Sequence, residues 1–292
     1  MTGGIKVDWI TGMQKAIDYI EDNLIYDLDY SEISKRALVS SFHFQRVFSI
    51  LCGFTVGEYI RNRRMTLAGV ELTMSDVKVI DVALKYGYET PESFTKAFSR
   101  FHGITPKAAR ESGAKMKSFY RLLIKISLEG GDIMDYRIER KNTLTFVGYK
   151  KKFTGGLEER FEQERDFWVN TRKEQDVLMA LRNESFTWYD INTNFSDDDY
   201  DHYITVLSDK ETTEGFEKIT VPELTYAIFE TERMNMPTLA YPDLRKKIVS
   251  EWLPSSEYIL AEGPEITVTH WYKKPKKEKR YIELWIPVEK KN

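Results

Sequence analysis

Apolar positions in the first third of the chain recur at helical spacing. Phe44, Phe48 and Leu51 fall at i, i+4 and i+7, and fifty residues later Phe94, Phe98 and Phe101 do the same. Each set marks one buried face of an α-helix. The coincidence belongs to a longer ungapped repeat. Lys35 matches Lys85, Gly53 matches Gly103, Thr55 matches Thr105, and Arg46 meets Lys96. A short apolar segment precedes each phenylalanine helix: Ile33, Ala37 and Leu38 in one copy, Val82, Ala83 and Tyr86 in the other. Val39-Ser40-Ser41 offers a turn and an N-cap hydroxyl. In the second copy Gly87 marks the turn, and Thr90-Pro91 gives a cap with proline at the first helical position. Gly53 and Gly103 end the helices, as C-terminal glycines do. The pattern predicts two helix-turn-helix units.

From Met134 onward the period changes to that of strands. Tyr136–Glu139, Leu144–Lys150, Phe186–Ile191, Tyr203–Ser208, Leu224–Glu230, Ile266–Tyr272 and Tyr281–Pro287 read as strands. Leu157–Leu181 and Thr238–Trp252 read as helices. Leu144-Thr145-Phe146 answers Leu224-Thr225-Tyr226, and Tyr203-Ile204 answers Tyr281-Ile282. The expected fold is therefore an all-α double helix-turn-helix domain followed by an α+β domain. The latter is an antiparallel sheet from two pseudo-repeated strand-helix-strand-strand halves, with helices on one face.

The outward faces of the two phenylalanine helices carry the first candidate chemistry. Phe42, Gln45, Arg46 and Ser49 lie along one line of the first, and Glu92, Thr95, Lys96 and Ser99 along one line of the second. Forked Gln and Arg side chains match adenine and guanine edges in the major groove. A solvated face is the ordinary reading of a lone helix, but two copies, each behind a short helix and a tight turn, favour DNA.

Residues 9–112 resemble the DNA-binding domain of AraC/XylS-type regulators. The resemblance rests on Ala83-Leu84-Lys85-Tyr86-Gly87-Tyr88, Ser93-Phe94-Thr95-Lys96-Ala97-Phe98 and Gly103-Ile104-Thr105-Pro106. Ser41 to Phe48 and Tyr59 to Met65 add to it. It implies seven helices, with a long one near Val56–Leu72 holding the readers apart, and base contacts from Phe42, Gln45, Arg46, Thr95 and Lys96. Pro91 and Glu92 depart from the neutral polar residues common there. Glu92 either accepts from cytosine N4 or repels phosphate.

Ala114–Leu128 reads as a basic amphipathic helix, with Lys115, Lys117, Arg121 and Lys125 against Met116, Tyr120, Leu123 and Ile124. Its lysines either face solvent or touch phosphate. Glu129-Gly130-Gly131-Asp132 breaks it. The expected domains are 1–113, a linker helix and hinge over 114–131, and 132–292.

The second half resembles the GyrI-like small-molecule-binding domain. The resemblance rests on Val221-Pro222, Tyr226 to Phe229, Trp252-Leu253-Pro254 with Tyr258, and the closing Ile282 to Val288. It implies an aromatic cleft with a carboxylate on the last strand, here Glu283. Strand alternation independently places Tyr281, Glu283 and Trp285 on one face. A carboxylate between aromatics suits an organic cation, each cation–π contact contributing about 0.5–2 kcal/mol. A solvated sheet face is the competing reading. Tyr226, Trp252 and Tyr258 are further candidate walls, or plain core. Glu283 is expected to hydrogen-bond a tyrosine hydroxyl or water, or to be protonated.

Composition adjusts this picture in a few places. Across 292 residues the net charge is −3, and acids and bases cancel over 1–113, so the case for DNA rests on pattern alone. Cys52 is the only cysteine, as suits a cytoplasmic protein. His43, His102, His202 and His270 show no metal-ligand spacing. No phosphate loop or nucleophile elbow occurs. No cofactor, metal or catalytic residue is expected. The sequence reads as a transcription regulator controlled by a small lipophilic or cationic effector. Its expected partners are double-stranded DNA, the effector and RNA polymerase, with no membrane. The alternatives are a second domain that hydrolyses a small substrate using Glu283, or one that docks a partner protein.

Overall fold

The computed structural model describes the chain except residues 1–4, 112, 125–132, 155–156, 195–198 and 292; for 5–10, 42 and 157–161 it describes the backbone alone. The chain forms two compact units, one of residues 1–49 and 54–128 and the other of residues 50–53 and 129–292.

In the first unit, α1 (Ile5–Asp22) and α2 (Tyr30–Arg36) precede α3 (Ser41–Cys52). Then come α4 (Val56–Met74), α5 (Val79–Lys85) and α6 (Pro91–His102). The punctuation read from the sequence sits where it acts. The Ser40 hydroxyl accepts from His43 N (3.2 Å), and the Thr90 hydroxyl accepts from Ser93 N (3.1 Å). Gly53 and Gly103 follow α3 and α6 at φ +78° and +81°. Phe44 packs on Phe48 at 5.7 Å between ring centres, and Phe94 on Phe98 at 5.5 Å. The turns differ. Four residues join α2 to α3 and five join α5 to α6. The left-handed position is Gly87 (φ +82°) in the second turn but Leu38 (φ +58°) in the first. A 3₁₀ turn, Ala108–Arg110, follows α6, and the described residues of this unit form six α-helices where the resemblance implied seven.

Residues 114–124 form neither helix nor strand, in place of the expected linker helix. Their backbone groups find tertiary partners in place of a helical ladder. Phe119 N donates to Thr66 Oγ1 (2.9 Å), Leu122 N to Tyr59 Oη (3.1 Å) and Ile124 N to Gln14 Oε1 (2.9 Å). Arg63 donates to Phe119 O while gripping Glu21 with two other nitrogens. The Phe119 ring seats against Phe54 and Tyr59. Met116 packs inward, whereas Tyr120 and Leu123 are exposed, so the apolar stripe is not one face. Lys125, the rest of that predicted helix and the 129–132 hinge lie outside the described residues.

The second unit is one antiparallel sheet. Its strands are β1 (Tyr136–Lys141), β2 (Leu144–Thr154), β3 (Thr187–Thr193), β4 (Asp199–Leu207), β5 (Glu217–Val221), β6 (Leu224–Glu230), β7 (Tyr258–Leu260), β8 (Glu265–His270) and β9 (Tyr281–Lys290). The order is β1-β6-β9-β8-β3-β4-β2-β5, with β7 added to the end of β9. The short strands β5 and β7 were not expected. The register exposes a pseudo-two-fold axis. Phe146 pairs with Leu207 as Tyr226 pairs with Pro287, and Asp190 and Thr267 face each other across the central β3–β8 seam. Tyr203 is thus equivalent to Glu283. The sequence match of Tyr203 with Tyr281 was two residues out of register, a slip that period-two alternation hides.

Helices α7 (Leu157–Asn170) and α8 (Arg172–Leu181) cover Val147, Tyr149, Ile204 and Val206 on one face. The expected single helix is interrupted at Thr171, whose hydroxyl donates to Phe167 O and contacts Tyr149 Oη. In the other half, α9 (Tyr241–Lys247) runs into a π-turn, Ile248–Trp252. Trp252 sets its ring against Phe229 on the same face of the sheet.

Candidate functional site

On β9, Tyr281, Glu283 and Trp285 project to the face opposite these helices, and Ile282, Leu284 and Ile286 to the helix side. Around Trp285 the opposite face gathers Phe146, Tyr189 and Tyr226. The Tyr226 and Tyr189 rings stand 5.8 and 6.3 Å from that of Trp285. Tyr226 is fully buried, so it is floor rather than rim.

Glu283 is only 7 % exposed, yet it is well partnered. Its Oε2 accepts from Trp285 Nε1 (2.6 Å) and Arg137 Nη2 (2.8 Å), and its Oε1 accepts from His270 Nε2 (3.2 Å). Burial pushes its pKa up, but the His270 and Trp285 hydrogen bonds and the charge of Arg137 outweigh this and hold it at about 2. The carboxylate is ionised. The expectation of a tyrosine partner or a protonated acid is therefore corrected: a guanidinium, an imidazole N–H and an indole N–H partner it instead.

Arg137 reaches Glu283 from β1, while its Nε and Nη1 hold Glu139 and Glu230 at 2.6 Å each. Lys141 also pairs with Glu139, and its ammonium sits 4.5 Å over the Trp285 ring. The sequence reading passed over these residues and His270. The signal was present: Arg137, Glu139 and Lys141 alternate, which places three charges on one strand face. His270 stacks flat on Tyr281, 4.1 Å between ring centres.

Two candidate walls do not belong to this face. Trp252 and Tyr258 stack on each other (6.1 Å, 13°), with Trp252 also against Phe229 and Tyr136. Phe229 alternates away from Ile228, so these rings sit on the helix side of the sheet, Trp252 buried and Tyr258 half-buried.

On α6, Glu92 and Lys96 are exposed and Thr95 and Ser99 half-buried, one line along the helix as predicted. On α3, Gln45 and Ser49 are half-buried, and Gln45 Nε2 donates to Ser41 Oγ (3.0 Å). The Phe42 side chain lies outside the described residues. Arg46 is 6 % exposed, not outward-facing. The one-buried-stripe rule fails here because α3 is covered around more of its circumference. His43, Phe44, Arg46, Val47 and Phe48 are all buried, whereas α6 buries only Phe94, Phe98 and His102.

A second polar cluster lies under the helices at the pseudo-two-fold axis. His202 Nε2 stands 3.4 Å from Asp190 Oδ1, its Nδ1 contacts Asn192 Oδ1 (2.7 Å), and Arg245 pairs with Glu265 (3.0 Å). Burial alone would lower the His202 pKa, but the Asp190 hydrogen bond and the charges of Asp190 and Glu164 hold it above its ordinary value. Among the described residues no His, Cys, Asp or Glu group is disposed to hold a metal ion. Among them, too, no helix is long and apolar enough to cross a membrane.

Comparison with known proteins separates the two halves. A family model described as a helix-turn-helix domain matches residues 33–112, and one described as an integron-associated effector binding protein matches 137–288. The HTH-type transcriptional activator AarP of Providencia stuartii is 40 % identical over 100 residues, covering 34 % of this chain and 74 % of AarP. The multiple antibiotic resistance protein MarA of Salmonella typhimurium is 33 % identical over 117 residues, covering 40 % of this chain and 91 % of MarA. The chain belongs to the AraC family of DNA-binding transcription regulators. The relatives this regulator resembles are themselves regulators, not enzymes. Its second half carries the effector-binding family's fold, an antiparallel sheet with helices on one side. The structure of SAV2435 bound to tetraphenylphosphonium matches 53 % of this chain and 94 % of that one, at 18 % identity and a TM-score of 0.44.

Proposed function

We propose that this regulator binds a lipophilic organic cation on the aromatic face around Glu283 and couples that binding to DNA reading by α3 and α6. The observation that carries the effector half is a buried, ionised carboxylate hydrogen-bonded to the indole whose ring lies beside it. Such a pair offers a cation both charge and a ring quadrupole. Tyr281 extends the apolar surface beside the pair, and the buried Tyr226 ring packs against the indole as floor. Titrating the full-length protein and Glu283→Gln with aromatic cations, followed by tryptophan fluorescence, tests this. Glutamine should lose the cations and keep DNA binding; equal affinities would sink the reading.

For DNA, Gln45, Ser49, Glu92, Thr95, Lys96 and Ser99 are the base-reading candidates, with Phe42 as the resemblance implies. Arg46, the remaining expected reader, is buried and stands apart from them. RNA polymerase is the partner through which such a regulator acts. The hydrolase alternative gains His270 as a neighbour of Glu283, but a carboxylate held near pKa 2 is a weak general base.

A further inference from the structure

Both recognition elements of this face are already occupied from within the chain. The carboxylate holds the Arg137 guanidinium, and the indole ring holds the Lys141 ammonium. Both cations stand on β1, an edge strand that pairs with β6 over six residues. We infer that Arg137 and Lys141 are built-in competitors of the effector. An entering cation takes Glu283 Oε2 from Arg137 and the Trp285 ring from Lys141. The inference rests on the cation reading proposed above.

The geometry lets this exchange happen without stranding a charge. Arg137 holds three carboxylates, each with a different nitrogen: Nε on Glu139, Nη1 on Glu230 and Nη2 on Glu283. Releasing Glu283 frees only Nη2, and the guanidinium stays anchored to the other two. Lys141 likewise keeps Glu139 when it leaves the ring. The side chains are 37 % and 25 % exposed, so the freed donors meet water. Trp285 Nε1 and His270 Nε2 remain on Glu283 throughout.

Two consequences follow from chemistry alone. A neutral ligand that displaced Arg137 would leave Glu283 buried without a counter-charge, which is costly. The site therefore selects cations with an apolar body broad enough to cover the indole. Both displaced groups also belong to β1, the first strand after the non-helical segment 114–124 that is bonded to α1 and α4. Effector arrival thus loosens the strand that follows this segment in the chain.

The test uses full-length protein, tetraphenylphosphonium as probe, low salt and pH 8. Arg137→Gln should tighten probe binding on the order of tenfold by removing a close charge competitor. Lys141→Ala, a milder change, should tighten it about threefold by freeing the ring. Unchanged or weaker binding in both variants overturns the inference. Glu283→Gln, run in parallel, isolates the underlying reading: if it binds like wild type, the face is not a cation site, whatever Arg137 does. If wild type shows no binding, the Arg137→Gln/Lys141→Ala double variant must show it, and its failure overturns both readings. Hydrogen exchange on wild type guards against misfolding of the variants. Saturating probe should lower protection over 136–141, and unchanged or greater protection there overturns the inference.

Discussion

Replacing Glu283 by glutamine removes a charge while keeping the shape, so it measures what the ion-paired carboxylate contributes to the second unit. The carboxyl is held at about 2 in the folded protein, against 4.5 ordinarily. A group whose folded value is depressed contributes stability that is fully present above its unfolded value and is lost as pH falls toward the folded one. The displacement corresponds to about 3 kcal/mol at neutral pH. Glutamine can still accept from Trp285 Nε1, so the expected loss on mutation is about 2 kcal/mol at pH 7. The gap should shrink from pH 5 downward and fall below half its neutral value near pH 3. Five of the six tryptophans lie beyond residue 132, so urea unfolding followed by tryptophan fluorescence reports chiefly on this unit. Equal destabilisation at pH 7 and pH 3 would refute the linkage. A glutamine variant more stable than wild type at pH 7 would show that desolvation outweighs the pairing, as it does for some buried ion pairs.

The polar cluster under the helices should respond with the opposite sign. The raised His202 pKa contributes stability below about 6.5 that is lost as pH rises through the folded value, so His202→Asn should destabilise more at pH 5.5 than at pH 8.5. Leu38 holds φ +58° while 77 % exposed, so Leu38→Gly should stabilise by about 0.5–1 kcal/mol in thermal melts. Gly87→Ala should do the reverse, because it combines φ +82° with a Cβ 2.8 Å from Arg64 Nη1; shifts of the same sign would contradict this account of the turns. Lys96→Ala and Gln45→Ala should each weaken operator binding by about 1–3 kcal/mol and relax preference at one base position. Arg46→Ala should lower both the melting temperature without DNA and the affinity with it, and an unchanged melting temperature would deny its structural role.

What could be read from the sequence was whatever depends on neighbours along the chain. Ser40, Thr90-Pro91, Gly53 and Gly103 act within one turn of their own positions, and alternation fixes the face of Glu283 once β9 is recognised. What escaped depends on distant partners. Residues 114–124 have a passable helical pattern, but Thr66, Tyr59 and Gln14 offer their backbone better bonds than a helix would. Burial of Arg46 is decided by what covers α3, which no periodicity in α3 records. Trp252 and Tyr258 reach the sheet from a helix end and a three-residue strand, so strand alternation elsewhere said nothing about their face. Strands β5 and β7, five and three residues long, are too short for pattern to mark.

The pseudo-two-fold axis explains why the chemistry sits on one side only. Each half supplies an aromatic at the same place on the face opposite the helices, Phe146 in one and Tyr226 in the other, and the apolar floor is shared between them. At the position equivalent to Glu283 the first half carries Tyr203, and opposite it Lys150 stands where Glu230 faces Glu283. The first half thus presents a cation with a phenol ring, Lys150 lying 5.4 Å over Tyr203. The second presents a carboxylate cluster with its own internal cations. On the cation reading proposed above, this asymmetry would orient an amphipathic cation with its charged end toward the carboxylates around β9 and its body toward β2 and β4. Reversing that polarity by exchanging Tyr203 and Glu283 in one double variant should keep the fold, since both side chains face the same way on equivalent strands. It should also remove cation binding at the original end, because Arg137 and His270 would then face a phenol.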